Sequence, residues 1–233
     1  MSELHIALIA EGPTDYELIS AALRAILPDP FQMTLLQPEP KPGLRGNGWP
    51  GVLKWCKDAG ERHCGPLSSD PTLEGYDLFI IHLDTDVALK RYADCGPAIE
   101  EMARQKNWRP LPCNQPCPPV ADTCAQLEAM MRSWLSPTTP DAKTLWCLPA
   151  QSTGSWLATA ILPEEHPLCA DAECNPALED ALERLPKANR IRKSVRAYRE
   201  NADSVRTNWA QVKTLCGQAV VFENSLREYL NRP

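Results

Sequence analysis

Two short apolar runs, each followed by acidic residues, constrain the fold of this chain more than any other feature. They occupy residues 4–10, followed by Glu11 and Asp15, and residues 76–83, followed by Asp84 and Asp86. Short continuous apolar runs are typical of buried strands in parallel sheets, and ligands bind where such strands end at their carboxyl edge. Carboxylates held together at that edge repel one another and stay ionised only beside a hard cation. The sequence therefore predicts a magnesium site of the kind that handles phosphates.

Strand-like and helix-like segments alternate through the first two thirds of the chain. In the first helix, Thr14 is a favourable N-cap residue and Glu17 stands three residues later, as in a capping box. The alternation implies right-handed crossovers and a parallel sheet covered by helices on both faces. We predict strands at residues 4–10, at 31–36, ending at 83 and at 144–148, helices from 14 and at 52–61, 98–105, 122–135 and 152–162, and proline-rich loops at 37–51 and 107–119.

The predicted organisation is a single α/β domain over residues 1–233, with a core at 1–165 and a mostly helical extension at 166–233. Hydrophobic residues make up 43% of the chain, which is enough for a buried core. No apolar stretch approaches the roughly 18 residues of a membrane span. The N-terminus also lacks the basic segment that begins a secretion signal. We therefore expect a cytoplasmic protein without a membrane partner.

The chain has ten cysteines. Without a secretion signal we expect them to be reduced thiols, several of them buried. A zinc site assembled from the scattered pairs stays open as an alternative, although no pair has the two-residue spacing of common zinc knuckles. The candidates for such a site are His63, Cys64, Cys113, Cys117, Cys169 and Cys174.

A basic segment lies near the C-terminus of this otherwise acidic chain. The formal net charge is −6, which argues against bulk attraction to nucleic acid but leaves room for a local patch. Residues 184–206 contain eight basic residues and only two acids. Such a stripe is either a solvated helix face or a contact surface for a nucleic-acid backbone. The candidate contacts are Lys187, Arg192, Lys193, Arg196 and Arg199, with Arg192, Arg196 and Arg199 spaced as on one helix.

The spacing of the acidic residues sets what they can reach. Glu11 and Asp15 are four residues apart across a strand-to-helix turn, so both can face one ion. Asp84 and Asp86 are separated by Thr85, and we expect both to reach that ion only if the chain bends there. A site of this type holds magnesium through a few carboxylates, waters and the substrate phosphate, and two ions would stabilise both the attacking and the leaving oxygen of a phosphodiester.

The ordered pair of motifs, Glu11-Gly12 with Asp15 after the first strand and Asp84-Thr85-Asp86 after a later strand, resembles the topoisomerase–primase (TOPRIM) fold. Over residues 4–87 it looks most like nucleases of the overcoming-lysogenization-defect type and small stand-alone relatives that serve in bacterial defence against phage. The resemblance implies that Glu11 is a metal ligand or general base and that Asp15, Asp84 and Asp86 are ligands of Mg²⁺ or Mn²⁺. It also implies a downstream basic residue, for which Lys187 and Lys193 are the candidates.

The chain departs from this family in two places. The stretch between Glu11 and Asp84 is long for a minimal core, so the segments 37–51 and 62–75 must absorb it. Many small relatives also carry an acid beside the tryptophan of a late helix, whereas residues 152–156 here contain none. If that position matters, catalysis is weakened or requires a partner.

The function expected from these features is cleavage of phosphodiester bonds in DNA or RNA, with anti-phage defence as the setting. Two other functions stay open: a non-catalytic or toxin-like subunit controlled by a separate ATPase, since this chain has no phosphate-binding loop of its own, and a small-molecule phosphotransfer enzyme. A haloacid-dehalogenase phosphatase motif fits less well, because Ala88 stands where that motif has Thr or Val. A nucleotide-sugar Asp-x-Asp motif would leave Glu11 unexplained. His5 and His82, within predicted strands, are expected to be packed or hydrogen-bonded.

Overall fold

A computed structural model describes residues 3–39, 45–187 and 189–232 of the chain. The protein is α/β. The described residues form six strands: β1 Leu4–Ile9, β2 Phe31–Gln37, β3 Gly65–Pro66, β4 Leu78–His82, β5 Thr138–Thr139 and β6 Thr144–Cys147. The main sheet has four parallel strands in the order β2-β1-β4-β6. A second, two-stranded parallel sheet pairs β3 with β5.

Helices cover both faces of the main sheet. The helices of the described residues are α1 Pro13–Ile26, α2 Trp49–Arg62, α3 Pro97–Gln105, α4 Ala121–Leu135, α5 Gly154–Ile161, α6 Pro167–Ala170, α7 Leu178–Arg184, α8 Val195–Thr207, α9 Trp209–Leu215 and α10 Gly217–Leu230. One apolar cluster joins β1 and β4 to α2 and α4, and the other joins the opposite side of the same strands to α1, α5 and α8 to α10. None of the described helices is long and apolar enough to cross a membrane.

The central strands form where the sequence offers apolar residues for both faces. Along β1, Ala7 and Ile9 enter one cluster while Ile6 and Leu8 enter the other. All five residues of β4 are buried. Because side chains alternate across a strand, a run that is apolar at every position is stable only between two covering layers. The parallel sheet with helices on both faces, as predicted from these runs, is confirmed.

Two predicted element boundaries are wrong in detail. The N-cap of α1 is Gly12 rather than Thr14: Pro13 occupies the first helical position, and the Asp15 carboxylate accepts a hydrogen bond from the Gly12 N–H at 2.9 Å. The second helix begins at Trp49 within the predicted loop 37–51, because Gly48, with φ of 71°, turns the chain and Pro50 suits a first turn. Residues 40–44 of that loop lie outside the described residues.

The helical C-terminal portion, which was predicted, packs on the α/β core. Helix α8 lies against α1 and α5, and Tyr198 and Val205 of α8 enter the same cluster as Ile6 and Leu8. The last three helices therefore complete one face of the main sheet.

The cysteines depart from the expectation that all are reduced. Cys117, in the connector before α4, forms a disulfide with Cys174, in the segment before α7. The remaining eight are free thiols, and five of these are buried. Cys117 and Cys174 are thus unavailable to the zinc site considered from sequence. Among the described residues, one group of three potential metal ligands lies close together, and it contains no cysteine.

Candidate metal centre

The acidic residues after β1 and β4 meet at the carboxyl edge of the main sheet. These strands are parallel neighbours, with Ile9 opposite Ile81, so the residues that follow them emerge side by side. Asp15 in the first turn of α1, His82 at the end of β4 and Asp84 each offer a ligand atom within 4.8 Å of the other two. All three side chains are buried. The cluster can therefore hold a metal ion.

His82 and Asp84 have polar atoms without hydrogen-bond partners among the described residues. His82 Nε2 lies 3.1 Å from Asp84 Oδ1, and His82 Nδ1 lies 3.9 Å from Asp15 Oδ2. Despite the shorter distance, neither ring nitrogen nor Asp84 Oδ1 forms an aligned hydrogen bond within the described part of the chain. Buried polar atoms are normally satisfied, and leaving them unpaired is costly. A cation among these atoms would satisfy Asp84 Oδ1 and one of the two ring nitrogens of His82.

Glu11 joins the cluster from the tip of β1. Its Oε1 accepts a hydrogen bond from the Asp84 N–H at 2.8 Å, and its side chain is half-buried. Burial raises the pKa of Glu11 well above its usual value, and the charges of Asp84 and Asp15 raise it further, while His82 opposes the shift. The pKa of Asp84 is likewise raised, by burial first and then by Asp15, with Lys193 opposing. The chain thus holds carboxyl groups together against their repulsion.

The Asp15 carboxylate is fixed on both oxygens. Oδ1 accepts a hydrogen bond from the Thr153 hydroxyl at 2.8 Å, and Oδ2 accepts the Gly12 N–H. Thr153 is fully buried just before α5. Residues 152–156 therefore do enter the site, through the Thr153 hydroxyl.

An acid reaches this part of the site from another element. Glu179 of α7 accepts a hydrogen bond from the Ser152 hydroxyl at 2.6 Å and lies 2.8 Å from Lys193 Nζ. A β-carbon at Gly154 would stand 2.8 Å from Glu179 Oε1, so the glycine makes this approach possible. The charge of Glu179 also contributes to the raised pKa of Asp84. Sequence reasoning missed Glu179 because nothing in α7 marks it.

Lys193 is the basic residue whose charge opposes the raised pKa of Asp84. The negative charges of Asp84 and Glu179 raise its pKa against the opposing effect of burial. It therefore carries its positive charge beside the cluster. Of the candidates Lys187 and Lys193, the structure brings Lys193 toward the site, and Glu179 holds it there.

Asp86 lies at the margin of the cluster. The chain bends after Asp84 into a short 3-10 helix, Thr85–Leu89, which is the bend that a joint role of Asp84 and Asp86 requires. The Asp86 carboxylate, however, is half-exposed and lies 3.3 Å from Lys90 Nζ. It still raises the pKa of Asp84, so its charge is felt at the site. The structure therefore does not place Asp86 among the three ligand atoms.

The other basic candidates lie outside the cluster. Arg192 precedes α8, so the single helical stripe expected from its spacing is wrong. Arg196 Nε donates a hydrogen bond to Glu200 at 2.8 Å, and Arg199 donates two to Glu17 of α1 at 3.0 and 2.7 Å. Lys187 and Arg192 border a surface pocket of about 340 Å³ together with Arg190 and Arg196.

His82 belongs to the cluster, although the sequence predicts only that it is packed or hydrogen-bonded within a strand. A histidine within an apolar strand is most often packed, and that is why no ligand role was predicted for it. The available signal was its position two residues before Asp84, which places both side chains on one face of an extended chain.

No protein-family model, curated protein or solved structure matches this chain.

Proposed function

We propose that this protein is a metal-dependent nuclease whose ion is held at the sheet edge by Asp15, His82 and Asp84. The observation that carries the proposal is the set of buried polar atoms on His82 and Asp84 that lack hydrogen-bond partners and face one another. Carboxylate oxygens suit Mg²⁺, and an imidazole nitrogen beside them suits Mn²⁺ at least as well. A bound divalent ion would lower the raised pKa values of the carboxyl groups, and at a phosphodiester it would polarise the phosphoryl group and favour a water nucleophile.

Glu11 is suited to accept a proton at the sheet edge. One of its carboxylate oxygens is fixed by the Asp84 N–H, which leaves Oε2 to take the proton of an attacking water. A general base works best when its pKa is near the operating pH, and burial beside Asp84 raises the pKa of Glu11 in that direction. In this proposal Glu11 is the base, and Asp15, which Thr153 and Gly12 hold in place, is a ligand.

Lys193 supplies positive charge on the side of the cluster toward α7. Glu179 holds its ammonium group at 2.8 Å, so the charge is oriented before substrate arrives. A fixed cation can stabilise the charge that develops on a transferred phosphoryl group or its leaving oxygen. Lys193 therefore takes the place of the downstream basic residue that the TOPRIM resemblance implies.

The proposed nuclease class rests on the order of the motifs and on where the parallel sheet places them. A Glu-Gly segment after the first strand and Asp84 after a neighbouring strand converge at one edge, as a TOPRIM-like site requires. The expected substrate is DNA or RNA, and defence against phage is the proposed setting. Residues 1–233 contain no Gly-x-x-x-x-Gly-Lys-Ser/Thr phosphate-binding loop, so an ATPase that controls the site would be formed by residues outside this sequence.

A cleavage assay with a matched control tests the proposal. Purified protein is incubated with plasmid, linear DNA and structured RNA in Mg²⁺ or Mn²⁺, alongside Glu11→Gln and, as control, Glu17→Gln, which alters an acid of α1 that pairs with Arg199 instead. We expect cleavage that Glu11→Gln abolishes and Glu17→Gln retains. Cleavage of none of these substrates would favour a non-catalytic subunit, and hydrolysis of small phosphate esters alone would favour a phosphotransfer enzyme.

A further inference from the structure

A pocket lined by basic side chains lies at the start of α8, next to the residue that reaches the carboxylate cluster. It has a volume of about 340 Å³, and its charged lining consists of Lys187, Arg190, Arg192, Arg196 and one acid, Glu200. Glu200 already accepts the hydrogen bond of Arg196 Nε. Four positive charges thus border one concavity with a single negative charge, which is the composition of an anion site rather than of a balanced surface.

Several of these cations have donors without partners among the described residues. Within those residues, Arg190 donates through Nε alone, to the Leu185 carbonyl, and Arg196 through Nε alone, to Glu200, so the terminal NH₂ groups of both are unpaired there. The side chains of Lys187 and Arg192 donate no hydrogen bond to other described residues and form no ion pair with them. Ser194, the N-cap of the 13-residue helix α8, lies on the same wall and adds the positive end of the helix dipole.

The position of the pocket relates it to the proposed reaction. Lys193, which lies between Arg192 and Ser194 in the chain, turns the other way and pairs with Glu179, whose carboxylate also accepts from Ser152. A group bound in the pocket is therefore close to the carboxylate cluster. Arg192 and Ser194 line the pocket, and Lys193 between them pairs with Glu179. A nucleic-acid strand could place one phosphate in the pocket and a neighbouring phosphodiester at the carboxylates.

We infer that this pocket binds the terminal phosphate of a nucleic-acid strand, so that the enzyme acts at or near phosphorylated ends. The inference rests on the proposed nuclease function. An internal phosphodiester carries one negative charge, whereas a terminal phosphate monoester carries between about 1.5 and 2 at neutral pH and offers three acceptor oxygens. Several arginine and lysine donors that converge on one pocket distinguish a terminal phosphate from an internal phosphodiester through charge-assisted hydrogen bonds. A single row of exposed cations would not distinguish them.

The test measures affinity in the absence of divalent ions, so that it does not depend on cleavage. The full chain is titrated with fluorescent single strands of one sequence that carry a 5′-phosphate, a 3′-phosphate or neither. We expect a phosphate at one end to tighten binding about tenfold, as one or two added charge-assisted hydrogen bonds would. The double variant Lys187→Ala/Arg192→Ala should lose this preference, while Arg206→Ala, which changes a residue of α8 outside the pocket, should keep it.

Each outcome decides something. Equal affinity for phosphorylated and unphosphorylated strands, or a preference that survives the double variant, overturns the inference. Inorganic pyrophosphate that binds as tightly as a phosphorylated strand and competes with it fully would assign the pocket to a small phosphorylated molecule, which also overturns it. Both variants change exposed residues, and their melting temperatures check that the fold is kept. A preference for phosphorylated ends without any cleavage in Mn²⁺ would sustain the pocket and reject the nuclease.

Discussion

Two carboxylate sites of this chain, at Glu223 and at Asp84, are both buried but have opposite surroundings. Glu223 in α10 accepts hydrogen bonds from Trp209 and Arg227 and lies 2.8 Å from Lys213 Nζ. Asp84 instead faces Asp15 and Glu11, and one of its oxygens has no hydrogen-bond partner in the described residues. The pKa of Glu223 is lowered, mainly because the hydrogen bonds from Lys213, Arg227 and Trp209 outweigh its burial, whereas burial and like charges raise the pKa of Asp84.

The difference shows what this fold does with a buried acid whose role is structural. At Glu223 the chain surrounds the carboxylate with hydrogen-bond donors, and these contacts join α9 to α10. At the sheet edge it assembles acids and leaves their neutralisation incomplete. Lys193 is the cation that approaches from the chain itself, and Glu179 already pairs with it. An unneutralised buried cluster is the pattern of a functional site whose missing charge comes from a ligand.

The largest expected effect is on catalysis. Asp84→Asn removes the charge of a metal ligand while it keeps the shape of the side chain. We expect the cleavage rate in Mn²⁺ to fall more than about a hundredfold, because loss of a residue that only supports a metal ligand already costs up to about a hundredfold. Glu223→Gln should leave the rate of the folded fraction within a few-fold. Nicking of plasmid under single-turnover conditions measures both. Equal loss of cleavage rate in the two variants would mean that both substitutions act by disturbing the fold and not by changing the metal site.

The next effect concerns stability, where the two sites should respond with opposite sign. Glu223→Gln weakens charge-assisted hydrogen bonds at a carboxylate that is 7% exposed, so we expect a loss of about 2 kcal/mol in the free energy of unfolding. In metal-free protein at about pH 8, Asp84→Asn removes repulsion and should raise the free energy of unfolding, because burial and the neighbouring carboxylates disfavour ionised Asp84. Urea unfolding in EDTA measures the two changes. Destabilisation by Asp84→Asn would show that the cluster is neutralised without an ion.

The pH dependence sharpens this contrast. Free Asp and Glu have pKa values of about 4, and the folded protein raises those of Asp84 and Glu11. The raised values stabilise the protonated fold, so their contribution is fully present below about pH 4 and is lost as the pH rises through the folded-state values. The gain from Asp84→Asn in EDTA should therefore grow between about pH 5 and about pH 8. It should shrink when Mn²⁺ is added, because the ion binds the ionised wild-type cluster.

The smallest effect is expected on the exposed arginines. Arg199 is neutralised by Glu17, whereas the side chain of Arg192 forms no ion pair with other described residues. If the nucleic-acid backbone contacts Arg192, Arg192→Ala should lower the slope of affinity against salt by about one unit, and Arg199→Ala should lower it less. Affinity across a salt series separates these outcomes. Unchanged slopes in both variants would remove the basic segment from the nucleic-acid surface and favour a protein partner.

The fold was readable from the sequence where the signal is local and apolar. Residues 4–10 and 76–83 are hydrophobic at nearly every position, which only a doubly covered strand can satisfy, and the parallel arrangement then brings Glu11 beside Asp84. The proline-rich segments carried less information: α2 begins at Trp49, where Gly48 and Pro50 start a helix that the surrounding prolines and glycines obscured.

The parts of the site that the sequence did not yield come from tertiary contacts. Glu179 reaches Ser152 and Lys193 from a seven-residue helix in the C-terminal portion, and its approach depends on Gly154 having no side chain. The disulfide joins residues that are 57 apart, in two loops with no pairing signal. The sequence predicts only that His82 is packed or hydrogen-bonded, because a lone histidine in an apolar run gives no indication of which atoms it will face.

The position of a bound Mn²⁺ ion would test the proposed metal centre without reference to activity. Crystals of the protein soaked in Mn²⁺ give an anomalous diffraction signal that locates the ion. We expect a peak coordinated by Asp15, His82 and Asp84, with Glu11 at its margin, and no such peak in Asp84→Asn under the same conditions. A wild-type crystal saturated with Mn²⁺ that shows no peak at this edge of the sheet would mean that these three residues do not form a metal site.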